Sequence, residues 1–379
     1  MMPRPPGLAL VGVGGWGRNL ARTLGTMPEA DLRWLCDLEP RALRDAAPLC
    51  AGAATTTRLD EVLADPSVDA VLVATPAVTH HAIGRRVLES GRDLYVEKPM
   101  ALDVGHGLDL LGLAEAQGRV LMVGHLMEYH PALLRLREAV REGELGRLRT
   151  IVAQRLNLGT VRADENAMWS LAPHDVSAIL YLLDEMPTDV SARGLSCLDR
   201  DVEDVAFVTL RFADHAIAQI HVSWLDPRKV RTITVVGTDG MAVFDDLEPV
   251  EKLRLHDKRV VPSASPGGVA TSVVVQAGGI RAPALDPIEP LRAELAHFVH
   301  CVHTRSVPRS DGHDGLRVLR VLEAAQRSLA AGGAPMKPRA ADATRPRPAV
   351  PSPTDAPASD VPPAGPAPIV PPVLARGGR

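Results

Sequence analysis

The first third of the chain alternates short apolar runs with amphipathic stretches. The runs are LALVGV, DLRWLC, VDAVLVAT, DLYVE and RVLMVG, which are rich in Val and Leu and lack strict polar alternation. This pattern is typical of parallel strands covered on both faces. The helical stretches between them complete βαβ units. Residues 1–124 are therefore predicted to form a doubly wound α/β domain around a parallel sheet.

The pattern changes after Gly124. A predicted helix at residues 131–142 and a strand at 147–158 precede an amphipathic helix at 174–183. Four close runs then follow, joined by short turns: VAFVTLRF, AIAQIHVSW, RTITVVGT and MAVFDD. Such spacing predicts an antiparallel meander. We therefore predict a second, α+β domain over residues 125–331, with an open, largely antiparallel sheet.

Two further helices are predicted near the end of this region, at residues 290–303 and 312–329. They either close the second domain or pack back on the first. Composition then changes abruptly, because residues 332–379 hold 13 of the 33 prolines and few large apolar side chains. A segment of this kind cannot bury a core, so we predict a disordered tail.

Composition and charge narrow the class of partner. With 46% hydrophobic residues the 379-residue chain is typical of a globular protein. A net charge of -4 offers no general attraction to nucleic acid or to anionic lipid. A small molecule is the predicted partner.

The cysteines and the N-terminus indicate the compartment. The four cysteines show no paired metal spacing and the histidines no metal-binding pairing on one helix, so we predict no metal and buried thiols in a reducing compartment. The cysteines are Cys36, Cys50, Cys197 and Cys301. The N-terminus contains neither a signal peptide nor a membrane span, which predicts a cytoplasmic protein.

A glycine-rich loop follows the first apolar run. Gly12, Gly14 and Gly17 in VGVGGWG form a G-x-G-x-x-G motif between a predicted strand and a helix that starts near Trp16. The three glycines suit a tight turn, close approach of a pyrophosphate, and close packing of the helix on the strand. The N–H groups of the helix start then face the phosphates. This context predicts a Rossmann dinucleotide site that also includes Gly15 and Trp16.

Asp37 ends the second apolar run, 20 residues beyond Gly17. A carboxylate at this place accepts hydrogen bonds from the adenosine ribose and repels a 2'-phosphate, which favours NAD over NADP. Arg41 and Arg44 lie nearby and keep NADP open. A different interpretation of Asp37 is a helix cap ahead of DLEPRAL.

A charged pair, Glu97 and Lys98, stands at the carboxyl end of a predicted parallel strand. Ligands bind at this edge of open α/β sheets. A lysine beside a nicotinamide can hydrogen-bond a substrate hydroxyl and stabilise the oxyanion that develops there. By itself, an EK pair is equally typical of a solvated ion pair at a strand end.

The ordered set of motifs resembles the Gfo/Idh/MocA oxidoreductase family. It consists of the glycine-rich loop, ATP with Thr75 and Pro76, then His80, and EKP one strand later. The resemblance extends over residues 8–329. It implies a catalytic role for Lys98, cofactor contacts by Thr75, Pro76, His80, Glu97 and Lys98, and a substrate pocket on the second domain.

The family also implies a histidine on a helix of the second domain, and WSLAPHDVSAILYLL supplies His174. Apolar positions at helical spacing place PHD at the N-terminus of the predicted helix. The positive end of the helix dipole would keep His174 neutral and able to act as a general base. Members that resemble inositol dehydrogenase carry an aspartate where this chain has Ser170. The proton is therefore expected to leave through Asp175, Lys98 or water.

The segments GGWGRNLART and RLNLGTVRADENAMWSLAPHD are similar to family members that oxidise the 3-hydroxyl of UDP-N-acetylglucosamine or its uronate for surface polysaccharides. In this interpretation the arginines meet a diphosphate or carboxylate and the asparagines meet sugar hydroxyls. The predicted substrate contacts are Arg155, Asn157, Arg162, Asn166 and Asp175. The arginines are equally consistent with solvated surface residues.

Two other functions stay open at this point. One is the reduction of a keto-sugar or the oxidation of a cyclitol, and the other is a non-catalytic dinucleotide sensor. Family members commonly pair through their open sheets, so the resemblance implies a homodimer or homotetramer. Phe207, Val208 and Trp224 are the residues expected on that sheet face.

Overall fold

The computed structural model describes residues 4–159, 161–162, 165–198, 202–214, 216–262 and 273–339. Its first half contains a parallel sheet of six strands in the order β3-β2-β1-β4-β5-β6. The strands are β1 Gly7–Val11, β2 Asp31–Cys36, β3 Ala54–Thr56, β4 Ala70–Val73, β5 Asp93–Val96 and β6 Leu121–Val123. The predicted doubly wound sheet is confirmed, with the reversal of strand order between β1 and β4.

One strand of this sheet, β3, escaped the sequence pattern. It has only three residues, and two of them are exposed at the sheet edge. The helices that connect the strands are α1 Gly17–Leu24, α2 Pro40–Ala46, α3 Leu59–Ala64, α4 His80–Glu89 and α5 Val104–Ala116. All five residues of β1 are buried, as expected for a central strand covered on both faces.

A second sheet of eight strands follows, in the order β16-β13-β12-β11-β7-β10-β9-β8. Its strands are β7 Leu148–Leu158, β8 Asp189–Leu195, β9 Val205–Arg211, β10 Ile217–Ser223, β11 Leu225–Gly237, β12 Met241–Asp245, β13 Leu253–His256 and β16 Ile280–Arg281. β14 Arg259–Pro262 and β15 Val273–Gln276 form a separate hairpin. The predicted mostly antiparallel sheet is confirmed.

The predicted meander is wrong in one respect. β10 and β11 are consecutive in sequence, yet β7 lies between them, parallel to β10 and antiparallel to β11. The alternation of side chains reports which face of a strand is buried, but it carries no information on which strand is its neighbour. The strand β8 was also missed.

Helices cover one face of the second sheet. α6 Pro131–Arg141 contacts β12, and α7 Ala167–Leu183 packs on β7, β9 and β10. On the other face Phe207 is 41% exposed. Val208 and Trp224 are buried, which contradicts their prediction as open-face residues.

The last two helices have different positions. α8 Pro290–Thr304 packs back on the first sheet's side, where Leu295 and Phe298 join the core formed by β1 and α1. α9 Gly312–Ala330 contacts α5 and β6 as well as α7 and β8, so it bridges the two sheets.

The start of the predicted disordered tail is ordered. Met336 and Val190 of β8 exchange two main-chain hydrogen bonds of 2.8 Å. The prediction therefore fails for the first residues of the tail, because backbone pairing there does not require large side chains. Residues 340–379 of the tail lie outside the described part.

The cysteines are free thiols. Cys36, Cys50 and Cys301 are buried, but Cys197 is exposed, so the prediction of buried thiols fails at that position. Within the described ranges, no helix combines the length and apolar character needed to cross a lipid bilayer.

Candidate active site

The glycine-rich loop has the backbone that a dinucleotide site requires. Gly12 has a φ of 89°, a region open to glycine, and a Cβ there would lie 2.7 Å from the carbonyl carbon of Ala74. A Cβ on Gly17 would lie 1.9 Å from the oxygen of Gly12. Around Gly14 and Gly15 no atom lies within 4 Å of such a Cβ. The loop is thus tightly packed at its ends and open in its middle, where a pyrophosphate would approach.

Asp37 lies beside this loop, directly after β2. Its Oδ2 accepts a 2.8 Å bond from the N–H of Val13, and its Oδ1 accepts a 2.9 Å bond from the N–H of Glu39. The cap of α2 is Glu39, not Asp37, so the helix-cap interpretation is wrong. A fixed carboxylate next to the loop suits recognition of the ribose hydroxyls. A cavity of about 190 Å³ opens here, lined among others by Gly14, Arg18, Glu39, Arg41 and Asp45.

Trp16 links the loop to the end of β5. Its indole N–H donates a 2.6 Å bond to Oε1 of Glu97, while the ring remains 42% exposed. Glu97 is buried and also accepts from the hydroxyl of Tyr95 at 3.1 Å. Burial raises the pKa of Glu97, against the bonds from Trp16 and the charge of Lys98, which lower it. Two predicted cofactor residues are therefore bonded to each other.

His80 joins the ends of β4 and β5. Its Nδ1 lies 2.8 Å from the oxygen of Pro99 and its Nε2 lies 2.9 Å from the oxygen of Thr75. Burial lowers the pKa of His80. Both ring nitrogens are engaged by main-chain carbonyls, so the predicted cofactor contact becomes a positioning role. Thr75 is partly buried and Pro76 is exposed at the same sheet edge.

Lys98 reaches from the parallel sheet to α7. Its Nζ donates a 2.9 Å bond to the carbonyl oxygen of Ser170. Burial lowers the pKa of Lys98, Glu97 and Glu165 raise it, and Arg155 also lowers it. The acceptor stands three residues before Pro173, which lacks the N–H of a normal helical bond and disrupts this turn.

The structure corrects the environment of His174. The helix begins at Ala167 rather than near His174, because Asn166 provides the N-cap and the helix continues through Pro173. His174 therefore lies inside the helix, away from the positive end of its dipole. Burial lowers the pKa of His174 well below 6.5, and the positive charges of Lys98 and Arg155 add to that effect. The predicted neutral imidazole has a different physical cause.

His174 has no carboxylate partner at its buried ring nitrogen. Its Nδ1 makes no hydrogen bond to any described residue. Asp175 is instead buried in a bidentate pair with Arg155, with its oxygens 2.9 Å from Nε and 3.0 Å from Nη2. Each charge satisfies the other. The structure thus contradicts Asp175 as a proton relay and both residues as direct substrate contacts.

The remaining predicted substrate residues differ in role. Asn157 is partly exposed on β7. Arg162 has a half-exposed side chain whose Nη1 lies 3.1 Å from Oε1 of Glu165. Asn166 is buried, and its amide nitrogen donates to Glu203 at 2.8 Å and to Gln326 at 3.1 Å. Because its oxygen caps α7, Asn166 is a structural residue, which corrects the prediction.

We expect Asn166→Ala to destabilise the protein without weakening substrate binding. Loss of the cap alone costs about 1–2 kcal/mol, and two further hydrogen bonds disappear. The free energy of unfolding measured by urea denaturation tests the first part, and KM tests the second. Asn157→Ala, which removes no cap, is the matched control. An increase in KM with unchanged stability would return Asn166 to the substrate site.

Sequence reasoning missed several residues near the site. Glu165 raises the pKa of Lys98, and Arg231 of β11 lowers that of His174. Glu294 of α8 accepts from the hydroxyl of Tyr95 at 3.1 Å and so extends the network below Glu97. Burial, and next the charge of Glu97, raise the pKa of Glu294 well above its usual range. Glu294 is 199 residues from Tyr95, and no sequence motif links them.

Two family models match the chain. Residues 7–125 match the oxidoreductase family with an NAD-binding Rossmann fold. Residues 133–243 match the GFO/IDH/MocA C-terminal domain. The two matches correspond to the two sheets described above.

Individual relatives are named for sugar or cyclitol chemistry. UDP-N-acetylglucosamine 3-dehydrogenase of Acidithiobacillus ferrooxidans is 30% identical over 190 residues, 50% of this chain and 58% of that protein. Its solved structure has a TM-score of 0.72 at 26% identity, covering 86% of this chain and 98% of that one. Inositol 2-dehydrogenase of Acidothermus cellulolyticus is 28% identical over 224 residues, 57% of this chain and 65% of that protein.

A solved structure with cofactor is also similar. GenD2 from gentamicin A biosynthesis, in complex with NAD, is 30% identical with a TM-score of 0.73. The alignment covers 90% of this chain and 98% of that one. The full length of the GenD2 chain is thus matched by a chain with the same two-sheet arrangement.

Proposed function

Because this chain belongs to the Gfo/Idh/MocA family of NAD-binding oxidoreductases, we propose that it oxidises a secondary alcohol of a sugar. The observation that carries this proposal is the contact between Lys98 and α7. Lys98 ends a strand of the cofactor sheet and binds the carbonyl of Ser170, four residues before His174. A cation and a neutral imidazole are thereby brought to the same place.

The proposed chemistry divides between these two side chains. His174 is neutral near pH 7, so it can accept the proton of the substrate hydroxyl. Lys98 donates a hydrogen bond to the same oxygen and stabilises its developing negative charge. NAD, when bound, supplies the acceptor for the hydride from the carbinol carbon.

The cofactor is proposed to lie along the glycine-rich loop. Gly14 and Gly15 leave room for the pyrophosphate, and Asp37 accepts from the ribose hydroxyls. Trp16 and Glu97 hold the loop against the strand end that carries Lys98. Thr75 and Pro76 line the next strand end, and His80 holds that segment in position.

The substrate is proposed to be a nucleotide-linked amino sugar oxidised at its 3-hydroxyl, such as UDP-N-acetylglucosamine or its uronate. This rests on the named activity of the Acidithiobacillus relative. Arg162 and Arg231 have partly exposed guanidinium groups, 49% and 41% of their side-chain surface, and suit a diphosphate or carboxylate. Such a substrate would place the enzyme in polysaccharide biosynthesis, ahead of an aminotransferase.

Two alternatives have different support. The inositol 2-dehydrogenase relative favours a cyclitol, and the same site run in reverse is a keto-sugar reductase. A non-catalytic dinucleotide sensor is the alternative outside enzymes. The presence of both Lys98 and His174 argues against a sensor, since sensing needs neither an oxyanion partner nor a base.

A homodimer or homotetramer is proposed to form through the open face of the second sheet. Exposed apolar side chains of neighbouring strands, Phe207 of β9 and Ile217 of β10, lie at 41% and 44% exposure. An apolar sheet face of this kind is stabilised when a second copy covers it. Size-exclusion chromatography with light scattering tests this state.

Single-turnover fluorescence of reduced nicotinamide tests the proposed function. The protein and NAD are mixed separately with UDP-N-acetylglucosamine, its uronate, myo-inositol and a gentamicin-type aminoglycoside. A rise in fluorescence with a nucleotide sugar and not with inositol is expected. A rise with inositol or the aminoglycoside alone would replace the substrate. Silence with all four, despite NAD binding, would favour a reductase or the sensor.

A further inference from the structure

A buried cluster of three titratable side chains lies where α9 meets the first sheet. His125 follows β6, Glu128 belongs to the 3-10 turn Leu126–Tyr129, and Asp314 lies in the first turn of α9. The three are buried, at 1%, 0% and 2% exposure. None of them has a role in the proposed reaction. Sequence reasoning found no metal set here because the ligands come from segments 189 residues apart.

The atoms of this cluster converge. Nδ1 of His125 lies 2.8 Å from Oδ2 of Asp314 and 3.6 Å from Oε1 of Glu128. One potential ligand atom from each residue lies within 4.8 Å of the other two. A cation at about 2.0–2.2 Å from three atoms keeps them within about 4.4 Å of one another. Side-chain movements of tenths of an ångström would therefore complete the geometry.

Hydrogen bonding alone leaves the cluster incomplete. The single proton on Nδ1 of His125 serves Asp314, and neither carboxyl oxygen of Glu128 has a hydrogen-bond partner in the described part of the chain. Arg317 lies 4.0 Å from Oδ1 of Asp314 but is closer to Asp184, at 3.5 Å. A fully buried, unpaired carboxyl group is costly, so Glu128 calls for a partner.

We propose that His125, Glu128 and Asp314 bind a structural first-row divalent cation. Two carboxylates and a neutral imidazole balance a charge of +2, and each unpaired oxygen of Glu128 gains a partner. One nitrogen and two oxygen donors suit Zn²⁺, Mn²⁺ or Fe²⁺. Water would complete the coordination shell.

The proposed cation would fasten α9 to β6. The two elements already approach closely, since a Cβ on Gly315 would lie 2.6 Å from Val123 Cγ2 and one on Gly312 would lie 2.7 Å from Leu121 Cδ2. α9 also packs on α7, which carries His174. A cation at the start of α9 therefore stabilises the packing between the two sheets and contributes to folding free energy.

Metal analysis of the tag-free full chain tests this proposal. The protein is purified without chelator and its metal content is measured by inductively coupled plasma mass spectrometry. We expect about one equivalent per chain in the wild type and less than about a tenth in Glu128→Gln, which keeps the shape but loses the charge. Glu115→Gln is the matched control, because Glu115 pairs with His313 across α5 and α9 at 3.0 Å on the exposed surface. It is expected to retain the wild-type content.

Thermal unfolding gives a second readout that does not depend on activity. A strong chelator is expected to lower the Tm of the wild type by several degrees, and Zn²⁺ to restore it. Glu128→Gln should show neither change. If that variant does not fold, the wild-type metal content and its response to chelator still decide. Wild type that is metal-free and insensitive to added Zn²⁺, or Glu128→Gln that keeps its metal, would overturn the cation site in favour of a proton-sharing cluster.

Discussion

Replacement of Lys98 by methionine is expected to lower single-turnover hydride transfer by about 10²–10³-fold or more, the usual cost of removing a donor to a developing oxyanion. Methionine has a similar length and no charge, so the packing of the side chain against α7 is largely preserved. NAD affinity should stay within about threefold, because the glycine-rich loop and Asp37 are unchanged. Single-turnover fluorescence measures the rate, and isothermal titration calorimetry measures the affinity.

The control for this substitution is Lys229→Met, which removes an exposed lysine of β11. It should leave both quantities unchanged. A Lys98→Met rate within a few-fold of wild type would remove Lys98 from the proposed mechanism. A parallel loss of rate and NAD affinity would instead assign Lys98 to cofactor binding.

The second large effect is expected from His174→Asn, with a loss of about 10²–10⁴-fold in the rate of hydride transfer, typical of a lost general base. The pH dependence of the wild type adds a signature. Protonated imidazole cannot accept a proton, so activity falls as pH falls through the pKa of His174. Because burial and the nearby cations lower that pKa, the fall should lie well to the acid side of 6.5.

A basic limb is expected as well. Lys98 loses its proton as pH rises through its pKa, and burial places that pKa below 10.5. The rate should therefore decline at high pH in the wild type, and this limb should vanish in Lys98→Met. His303→Asn, on the exposed end of α8, serves as the control for the histidine substitution. An unchanged rate and an unchanged acid limb in His174→Asn would assign the base to another group.

Elements with strong local patterns could be predicted from sequence. The buried strands of the first sheet, the glycine-rich loop and the position of Asp37 depend on local composition and on spacing along the chain. β3 and β8 were missed, since a three-residue edge strand and an isolated strand before a turn carry weak periodicity. The boundary of α7 was wrong because Pro173 signals a helix start, whereas the cap at Asn166 and the packing of the helix override it.

Roles of the substrate-side residues were less predictable, and the reason is pairing. An arginine or an asparagine in a sequence is free to bind a ligand until its neighbours are known. Arg155 is satisfied by Asp175, 20 residues away, and Asn166 by Gln326, 160 residues away. Such contacts arise only when the chain folds, since the sequence has no periodicity that relates them.

The sequence by itself determined the cofactor side of this protein, because a phosphate loop is made from consecutive backbone positions and its glycines are visible as residues. It also placed Lys98 at a strand end, where a short apolar run stops. Only the tertiary structure decided that Lys98 meets the helix of His174, that burial and surrounding cations keep this histidine neutral, and that His125, Glu128 and Asp314 converge. Each of these depends on desolvation and on distances between remote segments, and both are properties of the folded chain.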